Sequence, residues 1–279
     1  MIAQATGAIL ALAAALAWGA ADFTGGLASR RSNPLEVLAL SRLSIVVVLA
    51  AAAAVTRDPL PTLTATAWAG GAGLSGALGI AALYQGLATE RSALVVPTAG
   101  VVGAAIPVLF GAIVEGMLPL VQQAGLGIAL AGIWLVSGAH RANRAEGRGL
   151  LLGALAGIGF GGFFILLGQI ESGAVFTPLV VAGGAGLVAA SLALAQTRTA
   201  VPVPTRNPAA LWAGVMDATG VVCYALAVRW IRLDVAAVLG SLYPAITVLL
   251  FRAVLEERVA KTQWLGLAIC VVAIALIVV

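Results

Sequence analysis

Three ionisable side chains lie where a strongly apolar chain has least use for charge. Asp22, Arg42 and Asp217 each fall deep inside a run of apolar residues. A charge at membrane depth costs about 2.5–3.5 kcal/mol on insertion scales, so the ones that persist are candidates for function. Asp22 precedes Arg30 by eight residues and Arg42 follows Pro34 by eight. In an antiparallel hairpin turning near residue 32, both therefore sit roughly 12 Å below one membrane face, at 1.5 Å per residue. Two readings follow: Asp22 and Arg42 form a neutralised ion pair that fixes the hairpin, or Asp22 lines a substrate path with Trp18, one turn earlier, while Arg42 tunes its charge. Asp217 lies about 13 Å into its own run, near the bilayer midplane. No basic residue follows it in that run until Arg229. This isolation makes Asp217 the candidate for proton coupling or for holding a cationic group; the plainer reading is a protonated Asp hydrogen-bonded to a neighbouring helix.

Neutral polar groups add to this set. Tyr84, Thr98, Tyr224 and Tyr243, the last beside Pro244, bring hydroxyls into apolar runs and join Trp18, Asp22 and Asp217 as candidate substrate contacts. Aromatic residues near helix ends are also common interfacial anchors. Glu115 and Glu256 read as interfacial charges at helix ends or as latches to Arg252 or Arg258. Catalytic patterns are lacking: the single histidine, His140, sits in a polar stretch, and no HExxH, nucleophile elbow or lysine-bearing phosphate loop occurs. Cys223 and Cys270 lie in apolar runs as small hydrophobes. No metal, cofactor or enzymatic activity is therefore expected.

The elements that must position these residues are membrane helices. The 279 residues are 62% hydrophobic and 9% charged, with a mean hydropathy of +1.09, against about 25% charged in soluble domains. A run of about 20 apolar residues spans the hydrocarbon core, and ten such runs are expected, near 5–27, 34–56, 64–88, 92–112, 119–138, 149–169, 175–196, 208–228, 234–254 and 262–279. The first reads as a span and not as a cleaved signal, whose apolar core would be shorter. The net charge of +4 is spread thinly over the connections, without a basic face for nucleic acid. Arg30, Arg31, Arg91, Arg141, Arg144, Arg148, Arg198, Arg206, Arg252, Arg258 and Lys261 follow odd-numbered runs, whereas Arg57, Arg229 and Arg232 follow even-numbered ones. By the positive-inside bias, both termini lie outside the cytoplasm.

The chain is also duplicated. A shift of 141 positions brings Leu109, Phe110, Glu115, Gln122 and Gly125 onto Leu250, Phe251, Glu256, Gln263 and Gly266, and Gly73 and Gly79 onto Gly214 and Gly220. Residues 1–142 and 143–279 then form two repeats of five spans each. An odd number of spans per repeat turns one upside down relative to the other, an arrangement common in secondary transporters. Gly149, Gly153, Gly157 and Gly161 recur every four residues and predict a bare helix face for close packing. Pro97, Pro107 and Pro244 remove helix hydrogen bonds inside runs four and nine, and so predict inner, kinked helices.

With these residues in view, the chain resembles the drug/metabolite transporter superfamily, of the EamA type. Trp18-Gly19 followed by Asp22-Phe23, Arg42, Leu87-Ala88 and the segment Leu255-Glu256-Glu257-Arg258-Val259 before Gln263 carry the resemblance. It implies alternating access around a central cavity, with amino acids, related metabolites or drugs as substrates. It also implies termini in the cytoplasm, against the charge count. The combined expectation is an all-α integral membrane protein of the cell (plasma or inner) membrane, working as a secondary active exporter of small organic solutes, with protons as possible partners. An uptake carrier for sugars or other metabolites, and a non-transporting scaffold or receptor, are the alternatives.

Overall fold

A computed structural model describes residues 2–88, 92–136, 147–170, 173–255 and 260–278. Glu90, Arg91, His140, the repeat boundary at 142/143 and the segment Glu256–Val259 lie outside the described residues. Within them there is no strand. The helices are α1 (Ile2–Ser29), α2 (Pro34–Thr56), α3 (Leu63–Ala88), α4 (Ser92–Val114), α5 (Leu120–Val136), α6 (Gly147–Gly168), α7 (Phe176–Gln196), α8 (Pro208–Ala227), α9 (Leu233–Gly240), α10 (Tyr243–Leu255) and α11 (Lys261–Val278). Among the described residues, seven segments are long and apolar enough to cross a membrane, and three shorter apolar helices accompany them. The ninth expected run is two helices, α9 and α10, separated at Ser241 and Leu242. Pro244 has no N–H to give to Gly240 and its ring crowds that carbonyl, which favours a break here. By contrast, α4 continues through both Pro97 and Pro107.

Local chemistry sets the helix ends. Asn33 caps α2 by accepting from the Leu35 N–H at 2.9 Å, and Asn207 caps α8 through Ala210; in each case a proline follows at the first helical position. Gly116, at φ +81°, supplies the left-handed turn after α4. The start of α7 is capped from outside: Asp58, in the α2–α3 connection, accepts from the N–H groups of Phe176 and Thr177 at 2.8 Å and from that of Val175 at 3.1 Å. Partial burial pushes the Asp58 carboxyl up, but the hydrogen bonds from Thr177, Val175 and Phe176 together outweigh it and hold the carboxyl below its ordinary value. A carboxyl lowered in the folded state contributes stability above its unfolded-state value and loses it as pH falls through the folded one. Asp58→Asn is accordingly expected to cost about 1 kcal/mol, the usual size for a lost N-cap, and to flatten the acid limb of a stability–pH profile. An unchanged acid limb would show that the cap contributes nothing.

The packing repeats itself under exchange of the halves. Helix α1 packs on α8 as α6 packs on α3; α2 packs on α8 as α7 packs on α3; α4 lies on α6 as α9 and α10 lie on α1; and α5 meets its equivalent α11. The glycines show the same exchange atom by atom. A Cβ on Gly73 would collide with the Ala182 carbonyl, and one on Gly214 with the Ser41 carbonyl; the 141-residue shift relates Gly73 to Gly214 and Ser41 to Ala182. Along the glycine stripe of α6, Gly153, Gly157 and Gly161 face Thr98, Val102 and Ile106 of α4, and Gly149 is buried. On a second side of α6, a Cβ on Gly159 would lie 2.6 Å from Gly79 Cα in α3.

Contacts between connections define two ends of the bundle. At one end Gly7 meets Trp230 and Ile231, Gly168 meets Leu233, Asp58 caps α7, and Gln122 donates to the Ile277 carbonyl at 3.3 Å. Arg232 also lies here, ion-paired with Asp234 at 2.8 Å and Glu115 at 3.5 Å. Among the described residues Glu115 is thus latched to Arg232; Arg258, one of the two latches expected, lies outside them. Burial and the Asp234 carboxylate raise the Glu115 carboxyl, against the opposing pull of Arg232. At the other end, Asn207 donates to Ser32 at 3.1 Å. Helix α1 therefore leaves the end of the bundle at which α6 arrives.

Candidate functional site

Midway between the two ends, the halves enclose a cavity of about 50 Å³. Each of the three charged residues reaches it from a different helix: Asp22 from α1, Arg42 from α2 and Asp217 from α8, all buried. Small residues let the helices come this close. Gly220 packs against the Trp18 indole and Gly214 against the backbone of Ser41, which brings α8 down onto both α1 and α2.

The pairing differs from the hairpin expectation. Arg42 is ion-paired with Asp217 and not with Asp22. Helices α1 and α2 are chain neighbours, but α2 spends its contacts on α7 and α8, and the Asp217 carboxylate from α8 meets the guanidinium first. Asp217 accepts a second bond, from Trp18 Nε1 at 3.0 Å. The isolation read for Asp217 within its own run is thereby overturned: the cation comes from another helix. Asp22, by contrast, makes no hydrogen bond or ion pair among the described residues. Arg42 Nε and the Tyr243 hydroxyl are buried without a partner.

Aromatic rings form the remaining wall. Phe160, Phe163 and Phe164 of α6 line the cavity with Trp18 and Tyr243. The Trp18 ring centroid lies 5.5 Å from Phe164 and 6.3 Å, edge-on, from Phe163; Phe160 meets Tyr243 edge-on at 6.2 Å. These geometries are the favourable ones for aromatic pairs.

Of the residues expected at the site, Trp18, Asp22, Asp217 and Tyr243 come together, with Arg42. Three others stand outside the lining. Tyr224 lies behind it, its ring 4.9 Å from Phe164 and its hydroxyl donating to the Phe164 carbonyl at 3.3 Å. Tyr84 is fully buried against Gly25, and Thr98 packs on Gly153 at the α4–α6 crossing. A hydroxyl in an apolar run is as readily satisfied by a neighbouring backbone as by a ligand, so residue type alone does not put these three on the cavity wall. The three phenylalanines are not among the residues expected from the sequence, although the 141-residue shift places Phe163 on Asp22 and Gly159 on Trp18. That correspondence was the available signal: the second copy fills with rings the wall that the first copy fills with an indole and a carboxylate.

Among the described residues no group of three or more His, Cys, Asp or Glu side chains is placed to hold a metal ion. A crevice of about 370 Å³ lies nearer the end that carries Arg229, lined by Leu167, Ala174, Pro178 and Val228 among others.

Comparison with known proteins gives a consistent result. The model of the EamA-like transporter family matches the chain twice, over residues 5–138 and 147–279. No curated protein matches it. A solved structure described only as "Crystal structure of protein" is similar over 98% of this chain and 96% of its own, with a TM-score of 0.74 and 17% sequence identity; at that identity the likeness is one of fold.

Proposed function

The chain belongs to the EamA-like transporter family and is a multi-pass membrane transporter, not an enzyme; from that premise we propose a secondary active exporter of small organic solutes, amino acids or similar metabolites, in the cell membrane. The observation that carries this reading is a charged, aromatic-walled cavity held midway along the bundle, between halves that exchange under the 141-residue shift. In this reading residues 1–142 and 143–279 are inverted repeats, and α9 with α10 make one broken span, giving ten crossings. Support for the inversion comes from direction: α1 departs from the end at which its equivalent α6 arrives. Rocking of the halves about the cavity opens it to each side in turn. The basic connections at Arg30, Arg31, Arg198 and Arg206 belong to the cytoplasmic end by the positive-inside bias.

Flux measurements test this directly. Purified protein reconstituted in proteoliposomes is expected to move at least one member of a metabolite panel, faster when a pH gradient is imposed. No flux of any member, with or without the gradient, would favour a scaffold or receptor; uptake against the expected direction would favour an importer.

A further inference from the structure

We propose that Tyr84 is the closed gate on the route from the cavity to the Arg30 end of the bundle, and that the crevice beside Arg229 is the open mouth of the same route at the other end. The inference rests on the transporter reading above and names the residues that gate it. It starts from helix turns. Residues four apart lie on one face of a helix, so the layer next to the cavity is found one turn beyond its lining residues. Toward the Arg229 end, Phe163, Phe164 and Val221 are followed by Leu167, Gly168 and Ala225, and these three line the crevice of about 370 Å³. A space of about 20 Å³ lies between the two, sharing Arg42, Gly76, Phe163 and Val221 with the cavity and Leu179 with the crevice.

Toward the Arg30 end, Asp22 and Ile80 are followed by Gly26 and Tyr84. Here the layer is filled: the Tyr84 ring, 2% exposed, lies against Gly25, and Leu87 packs on Gly26. The 141-residue shift makes the two layers one place built twice, since Gly26, Leu38 and Tyr84 fall on Leu167, Leu179 and Ala225. Both layers also lie between the same two groups of helices. Helices α1, α2 and α8 pack together, as do their equivalents α6, α7 and α3, so each group draws on both repeats. Tyr84 reaches from α3 across to α1, and Arg229, after α8, donates to the Ala174 carbonyl ahead of α7 at 2.7 Å. An inverted repeat reaches its second state when the two copies exchange conformations. In that state α6 and α7 close on α8 over the crevice, and the Tyr84 ring withdraws from Gly25.

Thiol labelling tests this, with a membrane-impermeant maleimide on sealed vesicles and the full chain carrying Ala at Cys223 and Cys270. Arg31→Cys, at an exposed position, marks one face. Ala225→Cys should react from the opposite face. Ile80→Cys, on the cavity wall, should react from the Arg31 face about tenfold faster once Tyr84→Ala is added, and no faster with Tyr84→Phe, which keeps the ring. An unchanged rate in a Tyr84→Ala chain that melts like a folded protein, or labelling of Ala225→Cys from the Arg31 face, would overturn the proposal. Ala225→Tyr is the second variant. The crevice has room for its ring, so the chain should melt like the parent while flux falls about tenfold or more; undiminished flux would also overturn the proposal. If the parent moves solutes and labelling does not shift, the gate is wrong and the transporter reading survives; if the parent moves nothing, both fall.

Discussion

Arg42→Met alone is expected to destabilise the protein by about 3–5 kcal/mol, whereas Arg42→Met combined with Asp217→Asn should return to within about 1–2 kcal/mol of the parent. Arg42 and Asp217 form a buried ion pair across α2 and α8. Removing the cation leaves the Asp217 carboxylate in a place that water barely reaches, with only the Trp18 indole N–H to hold it. Converting the carboxylate to an amide removes that charge but keeps an oxygen for Trp18, so the double variant has no orphaned ion. Asp217→Asn alone should also be destabilising, because it strands the guanidinium. The four midpoints, measured by thermal or detergent denaturation, form a cycle in which the two changes are strongly non-additive. Additive effects would mean that Arg42 and Asp217 do not sense each other. Flux by the folded double variant should still be lost, since Arg42 and Asp217 shape the pocket itself.

Gly73→Ala and Gly214→Ala should each destabilise by about 3 kcal/mol, the upper part of the range for overpacking, and by similar amounts. In both, the new methyl meets a backbone carbonyl of the facing helix, Ala182 for Gly73 and Ser41 for Gly214, and a carbonyl inside a helix cannot turn aside as a side chain can. The two positions are one contact made twice, once in each half. Gly184→Ala is the control. A Cβ there meets nothing within 4 Å, so helix propensity alone operates, and the change should be neutral or stabilising by up to about 1 kcal/mol. If Gly73→Ala melted like Gly184→Ala, the close approach of α3 and α7 would be refuted. A large difference between Gly73→Ala and Gly214→Ala would contradict the equivalence of the halves.

Both expectations depend on contacts between helices far apart in sequence, and the site shows how far sequence reading reaches such contacts. The depth of a residue is local: counting 1.5 Å per residue from the nearest polar break puts Asp22 and Arg42 roughly 12 Å, and Asp217 about 13 Å, into the membrane, and all three line one cavity. Azimuth is not local. Adjacency of α1 and α2 in the chain points Arg42 toward Asp22, yet α2 turns its polar side toward α8. Residue type likewise does not separate Tyr84, Thr98 and Tyr224, which stand off the cavity, from Phe160, Phe163 and Phe164, which line it; a ring looks like core packing until the neighbouring helix is known.

The amino-acid order by itself determined that this is a duplicated bundle of membrane helices, where its close crossings lie, and which few charges are buried. Hydrophobic run length, glycine spacing and the 141-residue echo are properties of consecutive residues, and lipid leaves such runs little choice but helix. The tertiary structure alone decided that Arg42 belongs to Asp217, that Asp22 is left unpaired beside a wall of rings, and that run nine breaks at Ser241 and Leu242. These depend on how two halves interleave, with α8 laid across both α1 and α2. That packing is a sum over many small contacts between remote segments, and no single stretch of the chain encodes it.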